Sequence, residues 1–215
     1  PRLLSVGHSN HDAEGFLRLL RGAGVGLVAD VRSRPFSGRW PHFNRPELER
    51  ALRAAGIGYV FLGDQLGGRP GRAGLYTAEG RADYEGIRRT PEFNAGLDRL
   101  IGEAERGTVA MLCSEADPLD CHRGLMIAPA LVARGLAPGH LRRDGTVETT
   151  AEVEARLLAE TKVGEGITDG LFAALVTPAE REQLLAEAYR VMACRKAYQL
   201  PAADTEERPD EDADA

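Results

Sequence analysis

Short apolar runs alternate with amphipathic stretches along the first two thirds of the chain. Four mostly apolar runs of four to seven residues begin at Leu3, Val25, Ile57 and Thr108, and runs of this length are typical of buried strands. Between them, apolar residues recur at the spacing of a helix that buries one face. This alternation predicts an α/β fold with a mostly parallel sheet that is covered by helices on both faces.

Residue types that cap helices mark several helix starts: Asp12, Asn44 and Thr90. Asn44 with Glu47 three residues later matches a capping box. Asp120 is predicted to open the helix after the fourth strand, which would put Cys121 in its first turn. Residues 63–71 are predicted to form a glycine-rich loop. A short strand at His140 is predicted to pair with residues 146–147 in a hairpin.

Beyond residue 149 the pattern changes to helices alone. The apolar residues there fall into three clusters at helical spacing: Val153, Leu157 and Leu158; Ile167, Leu171, Phe172 and Leu175; Leu184, Leu185, Tyr189 and Met192. We therefore predict an α/β core domain over residues 1–149 that carries the site. A helical extension over 150–202 would dock on this core, roof the site or form a homodimer surface. Residues 203–215 are predicted to be a disordered acidic tail.

Composition narrows the class of protein. The acidic tail holds seven acids and one base, which accounts for the whole net charge of −6 and leaves the rest of the chain neutral. No run approaches the roughly 20 apolar residues of a membrane span, and no signal-peptide layout opens the chain. We therefore expect a cytoplasmic, prokaryote-like protein with no membrane partner. Three cysteines describe no disulfide framework and indicate reduced thiols.

Polar residues follow each of the four predicted strands. The carboxyl ends of parallel strands meet at one edge of a sheet, and ligands bind in the crevice there. These exits, together with the start of the helix after the fourth strand, predict one pocket built from the following residues: His8, Ser9 and Asn10; Asp30 and Arg32; Gly67 and Gly68; Cys113 and Glu115; Cys121, His122 and Arg123.

The cysteines and histidines of this set are candidate catalytic groups. Cys121, in a first helical turn beside Arg123, is expected to have a lowered thiol pKa and to favour the nucleophilic thiolate. Cys113 ends a buried strand and is either a second candidate nucleophile or a small apolar filler. His8 and His122 are candidate proton carriers, since an ordinary imidazole pKa of about 6.5 suits proton transfer at neutral pH.

The other pocket residues suit an anion. Arg32 and Arg123 are candidate clamps for phosphate or carboxylate, with Asp30 and Glu115 to orient them. Ser9, Asn10, Gly67 and Gly68 would complete the anion-binding wall. Asp30 beside Arg32 is alternatively a structural ion pair. The segment 32–43 interleaves arginines with aromatic residues, so it is either a platform on which a base stacks or a solvated loop with core-filling aromatics.

A metal site is not predicted. Cys113, Cys121 and His122 have a Cys-x7-Cys-His spacing that matches no standard zinc pattern, and adjacent helical residues point about 100° apart. The loop at Gly67 and Gly68 lacks the Lys-Ser/Thr ending of a phosphate-binding P-loop. The cofactor is unknown.

The order of these motifs resembles a prokaryotic family, the domain of unknown function numbered 488. The resemblance covers about residues 2–145 and rests on these elements: Val6-Gly7-His8-Ser9; Asp30-Val31-Arg32 with Pro35-x-Ser37; Phe43; Leu66-Gly67-Gly68; Leu112-Cys113-x-Glu115-x-x-Pro118-x-x-Cys121-His122-Arg123; and His140. It implies a Rossmann-like α/β fold and a shared polar pocket. The resemblance does not indicate which reaction, if any, the protein catalyses.

The leading hypothesis is a hydrolase or transferase assisted by cysteine and histidine, acting on a small anionic, nucleotide-like substrate. In it Cys121 or Cys113 is the nucleophile and His122 or His8 carries the proton. Two alternatives stay open. One is a module that binds a nucleic-acid base or single strand; the other is a thiol redox or metal sensor that uses Cys113 and Cys121.

Overall fold

Six strands form one sheet in the computed structural model, which describes residues 3–166 and 176–201. The strands are β1 (Leu3–Gly7), β2 (Leu27–Asp30), β3 (Gly58–Phe61), β4 (Val109–Cys113), β5 (Gly139–Leu141) and β6 (Val147–Glu148). The helices are α1 (Ala13–Gly22), α2 (Arg45–Ala54), α3 (Gly63–Leu66), α4 (Tyr84–Arg88), α5 (Pro91–Arg106), α6 (Ala128–Val132), α7 (Thr150–Thr161) and α8 (Pro178–Lys196). The predicted α/β class is confirmed.

The strand order is β3-β2-β4-β1-β5-β6, and every neighbouring pair is parallel except β5 with β6. At the centre, β1 and β4 pair from Leu3 opposite Val109 to Gly7 opposite Cys113. Every residue of these two strands is buried, which is why they are continuous apolar runs rather than alternating ones. The predicted hairpin return at the edge is β6.

Successive side chains of the central strands point alternately into two separate hydrophobic cores, one on each face of the sheet. On one face Leu4 and Val6 of β1 pack with α1 and α2, through Phe16 and Leu52 among others. On the other face Leu3 joins a larger core that includes α4, α5 and α6. Because strand side chains alternate between faces, burial on both sides requires helices on both.

The helices α7 and α8 pack on the larger core. Val153, Leu157, Tyr189 and Met192 belong to the same buried cluster as the sheet residue Met111. The predicted helical cluster at Ile167, Leu171, Phe172 and Leu175 and the acidic tail lie outside the described residues. No helix in the described ranges combines the length and apolar character that crossing a membrane requires.

Two local predictions at helix starts are wrong. Asn44 precedes α2, but its side chain makes no bond to that helix and instead accepts a hydrogen bond from the backbone N–H of Ser37. Cys121 does not lie in a first helical turn. It is extended (φ −151°, ψ 167°), between a short turn at Pro118–Asp120 and a π-helical turn at Arg123–Ile127. The glycine-rich stretch 63–71 contains the one-turn helix α3.

The topology opens a crevice above β1 and β4. From β1 the chain crosses to β2 over one face, whereas from β4 it crosses to β5 over the opposite face. The two connections diverge, and no crossover helix covers the carboxyl ends of the adjacent strands between them. Gly7 lets the 114–116 loop pass directly over β1, because a Cβ there would overlap the carbonyl group of Glu115.

Replacing Gly7 by alanine is expected to lower the free energy of unfolding by roughly 1–3 kcal/mol or more, because the added methyl meets backbone that cannot move aside. The measurement is urea unfolding. Gly102→Ala is the matched control: nothing lies within 4 Å of its would-be Cβ in the helix α5, so we expect a gain of about 0.5–1 kcal/mol. Equal effects of the two substitutions would contradict the close approach at Gly7.

Candidate functional site

A cysteine and a histidine face each other at the carboxyl end of β4. The Sγ of Cys113, the last residue of the strand, lies 3.7 Å from Nδ1 of His122. Both side chains are buried. The strand fixes the cysteine and the π-helical turn that follows His122 fixes the histidine, so the pair is held by two rigid elements.

The other nitrogen of His122 determines which tautomer the ring adopts. Nε2 lies 2.9 Å from the backbone carbonyl oxygen of Val31. A carbonyl oxygen only accepts hydrogen bonds, so Nε2 carries the proton. In the neutral ring Nδ1 then presents its lone pair to the Cys113 sulfur. This is the arrangement of a nucleophile with its base, oriented by a third group.

The Cys113 thiol donates its one proton to the Glu115 carboxylate, with Sγ 2.9 Å from Oε2. Nδ1 of His122 is the alternative acceptor, which that proton reaches by rotation about the Cβ–Sγ bond. Partial desolvation raises the pKa of the Glu115 carboxyl. The hydrogen bonds from Cys113 and from its own backbone N–H, with the charge of Arg123, outweigh this and leave the pKa below its ordinary value. Glu115 is therefore a carboxylate at neutral pH.

Cys121 lies beside this pair but in a different environment from the one expected. Burial raises the pKa of its thiol well above the ordinary value, and the neighbouring Cys113 raises it further. The Nη1 of Arg123 donates to the Cys121 sulfur at 3.0 Å, and this charge is too weak to reverse the effect of burial. The expectation of a lowered pKa is wrong because Cys121 precedes the helix and is buried.

Arg123 holds the loop rather than an open anion site. Its guanidinium is 1% exposed and donates to the carbonyl oxygens of Glu115 at 2.7 Å and Ala116 at 2.9 Å. These bonds, with the bond to Cys121, fix the segment that joins β4 to the next turn. The predicted role of Arg123 as an anion clamp does not fit this burial.

Asp30 and Arg32 form a closed ion pair. Nε and Nη2 of Arg32 donate to the two carboxylate oxygens of Asp30 at 2.8 and 2.6 Å, and Nη1 donates to the carbonyl oxygen of Phe43. The hydroxyl of Tyr59 donates to Asp30 at 2.9 Å. With both side chains buried, the guanidinium is fully engaged, which favours the structural alternative for this pair.

His8 is buried near the crevice, stacked on Phe43 with the ring centroids 4.3 Å apart. Its Nδ1 donates to the Ser9 carbonyl oxygen at 3.1 Å. Burial, reinforced by Arg32, lowers its pKa from 6.5 to about 4. The residues that follow turn away: Ser9 has a positive φ of 44°, and the exposed Asn10 side chain accepts a hydrogen bond from Arg143.

The two predicted loop glycines make close backbone contacts. A Cβ on Gly68 would lie 2.8 Å from Cβ and Cγ of His122, and one on Gly67 would overlap Ser33 and the carbonyl oxygen of Gly63. The loop after β3 thus covers one side of the His122 imidazole with bare backbone. These glycines position the histidine, a role different from the anion contact that the sequence suggested.

A cleft of about 210 Å³ opens onto this cluster. Its lining includes six residues that the sequence predicted: Arg32, Gly68, Cys113, Glu115, Cys121 and His122. It also includes residues that the sequence did not single out for the site: Ser33, Tyr84, Ser114, Asp120, Lys196 and Tyr198. The residues that follow β1 do not line the cleft: His8, Ser9 and Asn10 lie outside its lining.

The rim of the cleft is cationic. Arg34 and Arg69 are exposed, and neither forms an ion pair within the ranges that the structure describes. Arg69 lies over the ring of Tyr198, with 4.4 Å from Cζ to the ring centroid. Lys196, at the end of α8, bonds Asp120 at 2.6 Å. The helical extension therefore contributes directly to the cleft.

Tyr84 is the residue whose role the sequence could least have shown. It is the first residue of α4, it is buried, and it lines the cleft. Burial raises the pKa of its phenol, and so do the nearby Cys121, Cys113 and Glu115. Within the described ranges its hydroxyl has no hydrogen-bond partner. It is a neutral donor beside the two sulfurs.

Acid is expected to destabilise the fold between pH 7 and 5. The pKa of His8 is lowered to about 4 and that of the buried His140 to about 3, chiefly by burial. The folded chain keeps both rings neutral where the unfolded chain binds protons, so stability is complete above pH 6.5 and falls below it. At about pH 5, the neutral state of each ring lowers the free energy of unfolding by roughly 2 kcal/mol relative to pH 7.

Urea unfolding at the two pH values measures this loss, and His8→Asn should remove about half of it. A free energy of unfolding that stays constant between pH 7 and 5 would contradict the buried neutral state of both rings.

Comparison with known proteins identifies the family of the chain but indicates no biochemical activity. The model of the domain of unknown function DUF488 matches residues 12–128, which span every strand from β2 to β4 and the Cys113–Arg123 segment. No curated protein and no solved structure matches the chain. A match over more than half of the sequence shows the relationship that the motif order suggested: the chain belongs to the DUF488 family.

Proposed function

We propose that the protein is a hydrolase or transferase that uses Cys113 as its nucleophile on a small anionic, nucleotide-like substrate. One observation carries the proposal: the Cys113 sulfur lies 3.7 Å from the Nδ1 of His122, whose Nε2 is bonded to the Val31 carbonyl oxygen. That bond leaves Nδ1 free to take the thiol proton.

In the proposed reaction the Cys113 sulfur attacks the electrophilic centre of the substrate. The thiol proton passes to Nδ1 of His122, the bond between sulfur and substrate forms, and the bond to the leaving group breaks. The imidazolium returns its proton to the leaving group. Water, or an acceptor hydroxyl, then displaces the sulfur with His122 again as base. Cys113 suits this role better than Cys121, because the Cys121 thiol has no comparable base and its pKa is raised by burial.

Glu115 and Tyr84 are the proposed positioning and donor groups. The Glu115 carboxylate accepts from the Cys113 thiol and so fixes the position of the sulfur in the cleft. The Tyr84 phenol stays neutral and has no partner in the described chain, so its O–H is available to negative charge that develops on the substrate.

The cleft and its rim support the substrate class. About 210 Å³ is less than the roughly 300–1,000 Å³ of sites that enclose drug-sized ligands, so the cleft accommodates a reacting group and leaves the remainder of the ligand at the rim. In this proposal the exposed Arg34 and Arg69 contact the anionic group of the substrate. Arg32 and Arg123, to which the sequence analysis gave that role, are buried and already hydrogen-bonded. Planar guanidinium groups bind phosphate and carboxylate in two-bond geometry.

Alkylation by iodoacetamide tests the nucleophile. We expect Cys113 to react faster than the exposed Cys194 at neutral pH, and His122→Gln to slow Cys113 by roughly 100-fold because a general base contributes at least that much. Peptide mass spectrometry after timed quenching, with EDTA present, gives both rates, with Cys194 as the internal control. An unchanged rate of Cys113 alkylation in His122→Gln would contradict the assignment of His122 as the base for Cys113.

A thermal-shift screen of nucleotides and small phosphate esters tests the substrate class. A ligand that raises the unfolding temperature should bind Arg34→Gln and Arg69→Gln roughly 10- to 100-fold more weakly, because a hydrogen bond to a charged group contributes about 1.5–3 kcal/mol. Arg21→Gln, an exposed arginine on α1, is the matched control. Turnover of that ligand should disappear in Cys113→Ala. Unchanged ligand affinity in both Arg34→Gln and Arg69→Gln would contradict the proposal.

A nucleic-acid-binding function is the second candidate, and an exposed aromatic favours it. Phe36 is 74% exposed on a loop that hydrogen bonds make rigid, including those from Trp40 to Ser37 and from Arg45 to the Pro35 carbonyl. Arg39 lies over the Trp40 ring. Fluorescence anisotropy with labelled single strands distinguishes the candidates: binding that weakens with salt and in Phe36→Ala supports this one.

A further inference from the structure

Two buried thiols and an exposed carboxylate meet in the cleft. The Sγ atoms of Cys113 and Cys121 and a carboxylate oxygen of Glu115 all lie within 4.8 Å of one another. We propose that these three groups bind one thiophilic divalent cation of the zinc class. Thiolate sulfur with a single carboxylate oxygen is a donor set that zinc accepts and magnesium or calcium does not prefer.

The separations fit a tetrahedral ion after small side-chain movements. Zinc bonds of about 2.3 Å to sulfur and 2.0–2.2 Å to oxygen place neighbouring donors about 3.5–3.8 Å apart. The Cys113 sulfur and Glu115 Oε2 lie 2.9 Å apart and would separate as the ion enters. All three donors line the cleft, so a fourth position faces the solvent and remains open to water or a ligand.

The backbone that carries the donors is already fixed. Cys113 ends β4, and Arg123 bonds the carbonyl oxygens of residues 115 and 116. Asp117 accepts from the backbone N–H of Leu119 and caps the turn that precedes Cys121. Little conformational entropy is therefore lost when the ion binds, because the loop between the donors is ordered beforehand.

Charge is balanced in both states of the site. Without an ion, the Glu115 carboxylate offsets the buried Arg123 guanidinium. Binding releases the two thiol protons, and two thiolates with one carboxylate then offset the divalent cation and Arg123 together. The Nη1 of Arg123, 3.0 Å from the Cys121 sulfur, remains a hydrogen-bond donor to the coordinated thiolate, as groups around metal ligands commonly are.

The site gives Cys121 a function that the proposed reaction does not. His122 stays outside the donor set and keeps its bond to Val31. One consequence rests on the proposed function: an ion-bound Cys113 sulfur is not free to attack a substrate, so cation binding would hold the enzyme in an inactive form. The coordination itself requires no reaction and is testable without a substrate.

Titration with cadmium chloride tests the site, since thiolate–cadmium bonds absorb in the ultraviolet. The full chain, reduced and stripped with EDTA, should bind one equivalent with a rise in unfolding temperature. Cys194→Ser, which removes the exposed thiol, should bind equally well. Cys121→Ser should lose the absorbance band, and Glu115→Gln should bind more than about 10-fold more weakly, since removing even an outer partner of a ligand costs roughly 10- to 100-fold. Zinc chloride should displace cadmium from the same site.

A folded wild-type chain that takes up no cadmium would overturn the site. So would a band that survives Cys121→Ser or disappears in Cys194→Ser. If Cys121→Ser does not fold, Glu115→Gln decides, because its carboxylate lies outside the hydrophobic clusters: unchanged affinity overturns the proposal. The alkylation experiment with EDTA tests the nucleophile separately, so either proposal is able to fail alone.

Discussion

The site depends on a buried guanidinium that has no carboxylate bound to it. Arg123 uses its terminal nitrogens on two backbone carbonyls and one sulfur, and its Nε has no partner within the described chain. A buried charge of this kind is costly unless its hydrogen bonds are well made. Those bonds fold the 113–123 segment back over β1, where Gly7 leaves room for it, and they bring Cys121 beside Cys113.

The chemistry of the cleft follows from contacts with backbone more than from contacts between side chains. The Val31 carbonyl selects the tautomer of His122, Gly68 presents bare backbone to the same ring, and the end of β4 sets the position of Cys113. Acceptors that belong to the main chain carry no net charge. They orient the imidazole without the extra negative charge that a carboxylate partner would bring into the site.

The sequence predicted the fold, and it predicted which polar residues converge at one edge of the sheet, because both follow from local pattern and topology. Continuous apolar runs mark the buried strands, and parallel strands direct their exits to one edge, so Cys113, Glu115 and His122 had to be near each other. Side-chain roles were harder to predict. Asn44 is a helix-capping residue type that bonds elsewhere, and Cys121 precedes the helix rather than opening it, differences decided by tertiary contacts. Lys196, Tyr198 and Tyr84 reach the cleft only through packing between distant segments.

The division of the cleft between two parts of the chain has a consequence for how such proteins diversify. The segment that the family model matches ends at residue 128, whereas Lys196 and Tyr198 enter from α8 and the residues after it. The matched segment therefore carries the cysteine–histidine pair but not the two α8-side residues that line the cleft beside it. A relative that shared the matched segment but carried a different carboxyl-terminal extension would place the same cysteine–histidine pair beside a cleft of different shape and charge.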